Sequence, residues 1–334
     1  MLKKIFTVKI SLIIFPIILV FISLFICYKN YTPGTYLTGW DTLHPEFNYG
    51  IYLKRIILGA WQSHQGLGSP ASQAHASEIP RIMIIGLLDF FFATSFIRYL
   101  FAFLMLILGS LGVYFFLKKI IFKNSDHYST YAGSFLGGLF YLLNLGTLQH
   151  FNVPLEMFLV QYAFLGWIFL FLTSFYQGGR KKDLIWFAVI NFFGAPQAHT
   201  PTLFYVYVMF LFLYLFLMIV LDLFSKEKTL STHKSVPLKR SALIFLLTLL
   251  INSFWLLPNI YYGIDKGKEV PLSKIHHLFS EEAFLVNKKY GNIKDISILK
   301  NFLFDWGVYT QDDSYGSLLK PWVLHLKKPL VLAL

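Results

Sequence analysis

The sequence predicts an all-α polytopic membrane protein, and three observations support this class. Hydrophobic residues make up 56% of the chain and charged residues only 14%, whereas a soluble domain is about one quarter charged. Several apolar runs reach the roughly 20 residues that a helix needs to cross a bilayer. Basic residues lie mainly in alternate loops between these runs, as the positive-inside rule requires. We therefore expect a multi-pass protein of the inner or plasma membrane with about seven spans.

The net charge of +12 is better explained by membrane topology than by nucleic-acid binding. The basic residues are spread among hydrophobic segments and form no separate polar domain, so no nucleic-acid partner is expected. Cys27 is the only cysteine, which excludes an intrachain disulfide and a cysteine metal cluster. Membrane lipids are the partners that this composition indicates.

The first apolar run covers residues 10–27 and follows Lys3, Lys4 and Lys9. A secretory signal peptide has a similar basic start and apolar core. This apolar run is long, however, and residues 27–30 offer no small-residue cleavage site. We predict an uncleaved first transmembrane helix with its N-terminus in the cytoplasm.

Residues 29–81 form a large polar loop, which this orientation places outside the cytoplasm. Apolar residues in its middle part, 49–61, have a spacing that predicts an amphipathic helix in the membrane interface. The following apolar run, 82–117, is too long for one upright helix. We predict a short interfacial or re-entrant helix at about 82–93 and a spanning helix at about 97–117. The remaining hydrophobic runs predict helices at about 131–148, 157–176, 184–195, 202–223 and 242–257.

Counting basic residues tests this topology. The loops placed in the cytoplasm contain 14 Lys and Arg residues, whereas the external loops at 149–156 and 196–201 contain none and the loop at 29–81 contains four. Seven crossings divide the chain into a transmembrane domain, 1–258, and a mixed polar external segment, 259–334. Because residues 329–334 look like the start of another apolar span, we expect the chain to be part of a longer protein.

The polar stretch 38–48 contains the residues best suited to catalysis. Asp41 can deprotonate an acceptor hydroxyl if its pKa lies near the working pH. Trp40 and the following helix would partly shield the carboxylate and raise that pKa. The alternative is a helix N-cap at Asp41 and Thr42, which needs only a short polar side chain. Spacing alone leaves both interpretations open.

His44 and Glu46 can supply a second acid or base, or ligands for a divalent cation. Their spacing matches no recognised metal signature, so no metal ligand is assigned. A divalent cation is the one cofactor that these residue types suggest. Solvated loop residues are the simpler interpretation of both.

Glu78 and Arg81 flank Pro80 where the chain enters the membrane. An arginine in this place can hold a lipid phosphate by charge-assisted hydrogen bonds. The alternative is an interfacial anchor or a local Glu–Arg pair. His199, in a proline-broken external turn, faces the same side as Asp41. Convergence of these loops would suit a lipid-phosphate and sugar site, although loop polarity alone predicts the same residues.

Other polar residues near the membrane receive less specific predictions. Asn252, inside the last span, is expected to satisfy hydrogen bonds between helices. Arg98 has the same two interpretations as Arg81: it binds a lipid phosphate, or it is an interfacial anchor. Further polar residues of the external loops are His150, Asn152, Glu156, Gln197 and Thr200. No phosphate-binding glycine loop, nucleophile elbow or zinc-protease motif occurs, so a membrane enzyme acting outside the cytoplasm would need a lipid-carried donor.

Three segments of the chain resemble the GT-C superfamily of integral membrane glycosyltransferases. They are residues 39–42 with Trp61 and 66–68 downstream, residues 141–144 followed by 150–154, and residues 252–258. The chain is most similar to the membrane region of bacterial α-(1→3)-arabinofuranosyltransferase-like proteins. The likeness covers about residues 1–260 and implies a GT-C-like helix bundle with a large first external loop. The chain is short for that family, without its later spans and carbohydrate-binding modules.

The resemblance implies an inverting hexosyl- or pentosyltransferase with a polyprenyl-phosphate sugar donor and a glycan or lipid acceptor. Asp41 matches the acid of the external loop, which is the general base, and Glu46 is a looser match to a second acid. Arg81 is then the candidate for holding the donor phosphate. The other expected substrate-binding residues are His44, Trp61, Glu78 and His199.

Two other functions fit the same features. A transporter or flippase of lipid-linked glycans would also use membrane cavities and arginine anchors. Against it, the chain shows no paired broken helices in matched halves, the usual pointer to a transport site. A non-catalytic assembly protein could retain the architecture without the chemistry.

Overall fold

The computed structural model describes most of the first 267 residues and short pieces of the rest. The described residues are 2–38, 44–57, 61–62, 69–70, 73–152, 154–224, 235–267, 285, 288, 292–294, 307–309, 315–317, 320, 324–325 and 328. Asp41 therefore lies outside the described residues. Trp61 lies in a short strand, and its side chain is also outside the description.

Ten α-helices can be defined in the described part of the chain. They are α1 Leu2–Lys29, α2 Tyr49–Ile57, α3 Ile79–Asp89, α4 Thr94–Phe116, α5 His127–Leu143, α6 Leu145–Asn152, α7 Glu156–Gly178, α8 Lys181–Phe193, α9 Pro201–Phe224 and α10 Ser235–Lys266. Shorter helices are the 3-10 turns Pro45–Phe47, Gln73–Glu78 and Ala195–His199 and the π-helix Leu117–Ile121. The strands are β1 Trp61–Gln62, β2 Ser69–Pro70, β3 Gly307–Tyr309 and β4 Tyr315–Ser317, paired antiparallel as β1–β2 and β3–β4.

The structure confirms a mostly helical chain with helices suited to a membrane. Four helices in the described part are long and apolar enough to cross a bilayer: Thr94–Ile121, Glu156–Gly178, Pro201–Phe224 and Val236–Asp265. A shorter apolar helix covers Ile13–Lys29. The predicted number of seven spans and their orientation stay predictions.

The prediction of a single helix at 131–148 was wrong, because α5 ends at Leu143 and a separate helix, α6, begins at Leu145. The Asn144 Nδ2 group donates to the Phe140 carbonyl at 3.1 Å, and its Oδ1 accepts from the Thr147 amide at 3.1 Å. One side chain thus satisfies the end of α5 and the start of α6, as capping residues do. The helix α5 is therefore only 17 residues long.

The apolar run 82–117 divides as predicted, whereas the last helix was predicted too short. The run forms α3 and α4, and Ala93 has the extended backbone that separates them. The helix α10 has 32 residues and continues through Pro258, where the sequence predicted its end. Proline removes one hydrogen bond of the helix and crowds the carbonyl four residues earlier. Membrane helices tolerate it because neighbouring groups and local adjustments satisfy the freed backbone.

The core is centred on the packing of α4 against α7, where glycines allow a close approach. A Cβ atom at Gly166 would lie 2.6 Å from the backbone of Gly112 and Val113. The Trp167 indole crosses the same interface and donates to the Leu108 carbonyl at 2.9 Å. Small residues at such contacts are typical of helix packing in membranes, where dispersion replaces hydrophobic burial.

A buried polar network joins α8, α9 and α10. The Asn252 Nδ2 group donates to Asn191 Oδ1 at 3.0 Å, and Asn191 Nδ2 donates to the Tyr207 hydroxyl at 2.7 Å. The Trp255 indole donates to Asn252 Oδ1 at 2.9 Å. This confirms the predicted role of Asn252 in bonding between helices.

We expect Asn252→Ala to lower the free energy of unfolding by about 1–2 kcal/mol, because it leaves Asn191 and the Trp255 indole short of partners. Titration of the purified protein with a denaturing detergent measures the change. The control is Ser253→Ala, because within the described part of the chain the Ser253 hydroxyl bonds only the Leu250 carbonyl of its own helix. Equal effects of the two substitutions would contradict the network's role.

The chain divides into two compact units, Met1–Gly263 and Ile264–Leu334. The first contains the helix bundle and all the residues discussed below. In the second, the described residues include the β3–β4 pair, in which Val308 lies opposite Gly316.

Candidate functional site

Five buried charged side chains form a chain of contacts at one end of the helix bundle. They form what we call the ionic cluster: Glu46, Glu78, Arg81, Arg98 and Glu156. The Arg81 and Arg98 side chains are only 4% and 5% exposed. Buried charges of this kind persist only when they are paired, because each loses several kcal/mol of hydration.

Each member of the cluster comes from the end of a different element. Glu46 lies in the turn Pro45–Phe47, and Glu78 ends the turn Gln73–Glu78. Arg81 follows in the first turn of α3, and Arg98 lies in the second turn of α4. Glu156 is the first residue of α7, where the helix dipole stabilises a negative charge. The chain thus brings five loop-proximal positions to one end of the bundle.

Glu156 is shared by the two arginines and joins the halves of the cluster. Its Oε1 atom lies 3.3 Å from Arg81 Nη1 and is also in contact with Arg98 Nη2. Arg81 Nε donates directly to Glu78 Oε2. The local Glu78–Arg81 pair that the sequence allowed is therefore present, and a role of Arg81 in phosphate binding stays a prediction.

His44 and Glu46, both in the polar stretch 38–48, contact Arg98 of α4. The His44 Nδ1 atom lies 2.9 Å from Glu46 Oε1 and 2.8 Å from Arg98 Nη1. Arg98 Nη1 is also 3.8 Å from Glu46 Oε1. Glu46 is 8% exposed, so the interpretation of this residue as a solvated loop residue was wrong. The Arg98 guanidinium offsets the charge of the buried carboxylate, and His44 lies within hydrogen-bond distance of it.

His199 approaches the cluster from the turn between α8 and α9. Its Nδ1 atom lies 3.7 Å from Glu78 Oε1, and its ring makes an edge contact with His75 at 4.9 Å between centroids. Gln197, on the same turn, is 2% exposed. The turn that carries His199 therefore lies beside Glu78, whereas a lipid-phosphate and sugar site formed by these loops stays a prediction.

The electrostatics keep Arg81 charged. Burial alone would lower the pKa of Arg81, but the Glu78 and Glu156 carboxylates outweigh it and raise the pKa above its usual range. The Tyr52 hydroxyl accepts from Arg81 Nη2 at 3.5 Å. Burial raises the pKa of Tyr52 well above its usual range, and the nearby Glu78 adds to this effect. Tyr52 is therefore a neutral hydroxyl that extends the polar site.

The cluster has one carboxylate more than it has guanidinium groups. Three glutamates face two arginines, so the formal charge is −1 when the neighbouring histidines are neutral. At a site closed to water, such an excess of negative charge favours a nearby cationic group. The arrangement offers carboxylate and imidazole groups, the side chains that commonly act in general acid–base catalysis.

The structure brings together five of the seven site residues predicted from the sequence. These are His44, Glu46, Glu78, Arg81 and His199. No specific role was predicted for Glu156 and only a general one for Arg98, although both are central to the cluster. Tyr52 was missed, and its only signal was its place in the predicted amphipathic helix.

The described residues do not form a site for a divalent cation. Among them, no group of three or more His, Cys, Asp or Glu side chains has the arrangement of metal ligands. The candidate ligands Glu46 and His44 instead face the Arg98 guanidinium, whose charge opposes that of a cation. We therefore derive no step through a metal.

Comparison with family models, curated proteins and solved structures gives no match to this chain. The resemblance to GT-C glycosyltransferases consequently stays a prediction from the sequence segments that carry it.

Proposed function

We propose that the protein is a membrane glycosyltransferase that moves a sugar from a polyprenyl-phosphate donor to an envelope glycan or glycolipid outside the cytoplasm. The observation that carries the proposal is the ionic cluster at the loop end of the helix bundle. It joins the loop that follows Asp41 to three helices through buried charge pairs.

The cluster supports the proposal because a general base must be held in place. His44 and Glu46 bind Arg98, and Asp41 precedes His44 by three residues. Three residues of chain span at most about 11 Å, so the proposal requires the acceptor hydroxyl to bind within that reach of His44. A rigid support of this kind limits the positions that the carboxylate can take.

The proposed reaction uses Asp41 as the base. Its carboxylate takes the proton of the acceptor hydroxyl while the acceptor oxygen forms a bond to the anomeric carbon. The bond between that carbon and the lipid phosphate breaks, and the phosphate leaves with the electron pair, inverting the configuration. Arg81 would stabilise the leaving phosphate if the substrate displaces one of its carboxylate partners.

We expect Asp41→Asn to lower transfer by about 100- to 10,000-fold, since the amide cannot accept the proton. A deletion strain is complemented with wild type or variant, and its envelope glycans are profiled at equal protein level in the membrane. The matched control is Asp126→Asn. Asp126 caps α5 by accepting from the Ser129 amide, a role that asparagine also fills.

The same experiment separates the glycosyltransferase from the two alternative functions. Full restoration of the glycan by Asp41→Asn would refute the catalytic role and leave Asp41 as a helix cap. In that case the transporter or assembly function would take its place. Buried ionisable groups in a membrane bundle are the observation that favours a transporter, because such groups often mark transport pathways.

A further inference from the structure

A second polar region lies at the end of the bundle opposite the ionic cluster. The helix α7 begins at Glu156 in the cluster and ends at Gly178, about 34 Å away at 1.5 Å per residue. At this far end there is a cavity of about 940 Å³ between the C-terminal ends of α4, α7 and α9. Its polar lining residues include Lys119, Lys123, Asn124, Ser174, Gln177 and Asp222.

The position of the cavity places it at the depth of lipid headgroups. The helices α4, α7 and α9 have 23 or 24 residues and are thus about 35 Å long. The hydrocarbon core of a bilayer is only about 30 Å thick. A cavity between the ends of these helices therefore opens at the polar layer of the membrane.

The backbone is also unusual at the cavity wall. The π-helix Leu117–Ile121 extends α4, and the Phe122 amide donates to the Leu117 carbonyl five residues earlier at 2.8 Å. Segments of π-helix are rare and occur frequently at functional sites. This turn carries Lys118 over the Tyr131 ring, 4.5 Å from its centroid, and presents Lys119 at the cavity.

Among the described residues, neither Lys119 nor Lys123 forms an ion pair, although the Asp222 carboxylate also lines the cavity. In the described part of the chain, no carboxylate oxygen lies within 4.0 Å of the Lys119 or Lys123 ammonium group, whereas Arg180 is paired with Asp183 at 2.8 Å. Both lysines are exposed. The C-terminal end of each helix carries about half a negative charge, which offsets part of the positive charge of the lysines. At the end of α7, Arg240 compensates this negative charge by donating to the Tyr176 and Gln177 carbonyls at 2.7 and 3.0 Å.

The whole end of the bundle is basic, so the surrounding field has the same sign. Eight described basic residues lie there against three described acids. The bases are Lys118, Lys119, Lys123, Arg180, Lys181, Lys182, Lys239 and Arg240, and the acids are Asp126, Asp183 and Asp222. A concave site within such a field concentrates anions.

We propose that this cavity binds a phosphate-bearing anion, with Lys119 and Lys123 as the residues that hold the phosphate. The group can come from the headgroup of an anionic phospholipid or from a soluble phosphate. Basic pockets between transmembrane helices bind anionic headgroups by the same chemistry. The site is independent of the glycosyl transfer proposed above, since it lies at the other end of α7.

The test uses the full chain purified in a neutral detergent. Binding is titrated with phosphatidylglycerol, with phosphatidylcholine as the zwitterionic lipid, and with inorganic phosphate, and thermal stabilisation is the readout. We expect Lys119→Gln with Lys123→Gln to weaken phosphatidylglycerol binding about fivefold for each lysine removed. The control, Lys181→Gln with Lys182→Gln, removes the same charge from exposed residues outside the cavity lining.

Each outcome decides one question. A loss confined to phosphatidylglycerol and to the cavity variant supports a headgroup site. The same selective loss with inorganic phosphate supports the site and assigns it to soluble phosphate as well. Equal weakening in the two double variants would show that only the diffuse positive field attracts the anion, and it would overturn the proposal. Absence of binding by the wild type would overturn it too.

Discussion

Replacement of Glu156 by glutamine is expected to lower the free energy of unfolding by about 3–5 kcal/mol, the range found when one member of a buried ion pair is removed. Glutamine has nearly the same volume, so packing is retained. The neutral amide leaves Arg81 and Arg98 with one carboxylate fewer in a site that is almost closed to water. The cost is large because Arg98 loses its contact with Glu156 and, within the described part of the chain, keeps only Glu46, 3.8 Å from its Nη1 atom, as a carboxylate partner.

The control for this prediction is Asp183→Asn. Asp183 pairs with Arg180 at 2.8 Å, but the Arg180 side chain is 72% exposed and water can replace the partner. We expect a change within about 1 kcal/mol there. Titration with a denaturing detergent, followed by loss of helical circular dichroism, measures both variants. Similar stabilities of Glu156→Gln and the wild type would show that the cluster contributes little to folding.

A double substitution distinguishes pairing from general disruption. Arg98→Met together with Glu156→Met removes one charge of each sign, and apolar replacements for a buried pair are often neutral. The double variant should therefore be more stable than Glu156→Met alone, with a coupling of about 0.5–3 kcal/mol in the thermodynamic cycle. Additive losses would mean that Arg98 and Glu156 do not depend on each other.

The members of the candidate site could be predicted from the sequence better than their contacts. Polar residues between apolar runs stand out, and His44, Glu46, Glu78, Arg81 and His199 were recognised in this way. Polarity reports only which residues avoid lipid and not which of them meet. The pairing of Arg81 and Arg98 through one glutamate on α7 depends on the packing of three helices, which no local pattern records. The burial of Glu46 follows from the same packing.

The fold shows the same division between local and distant information. Apolar length predicted α4, α7 and α9 because a bilayer fixes the length that a helix needs. The ends of helices were less predictable. Asn144 stops α5 inside an apolar run because its side chain bonds the backbone on both sides, whereas Pro258 fails to stop α10. At Asn144 the side-chain hydrogen bonds decide, and at Pro258 the helix continues although one amide donor is missing; hydropathy detects neither.

The second large effect expected is that of Gly166→Ala, a loss of up to about 3 kcal/mol, the upper end of the usual cost of overpacking. Alanine is intrinsically better in a helix than glycine by about 1 kcal/mol, so a local view predicts the opposite sign. The new methyl group would lie 2.6 Å from the carbonyl carbon of Gly112 and from the amide nitrogen of Val113. Both are backbone atoms of α4 that no rotamer change can move, so the two helices must separate.

Gly263→Ala is the matched control for this substitution, because it lies in α10 and its new Cβ atom would meet no described atom within 4 Å. There the helix preference acts alone, and we expect a gain of about 0.5–1 kcal/mol. Unfolding of both variants in the same detergent titration compares the two signs directly. A gain at Gly166 as well would mean that α4 and α7 pack less closely than 2.6 Å implies. Opposite signs would establish that the contact between these two helices, rather than helix preference, determines which residue position 166 accepts.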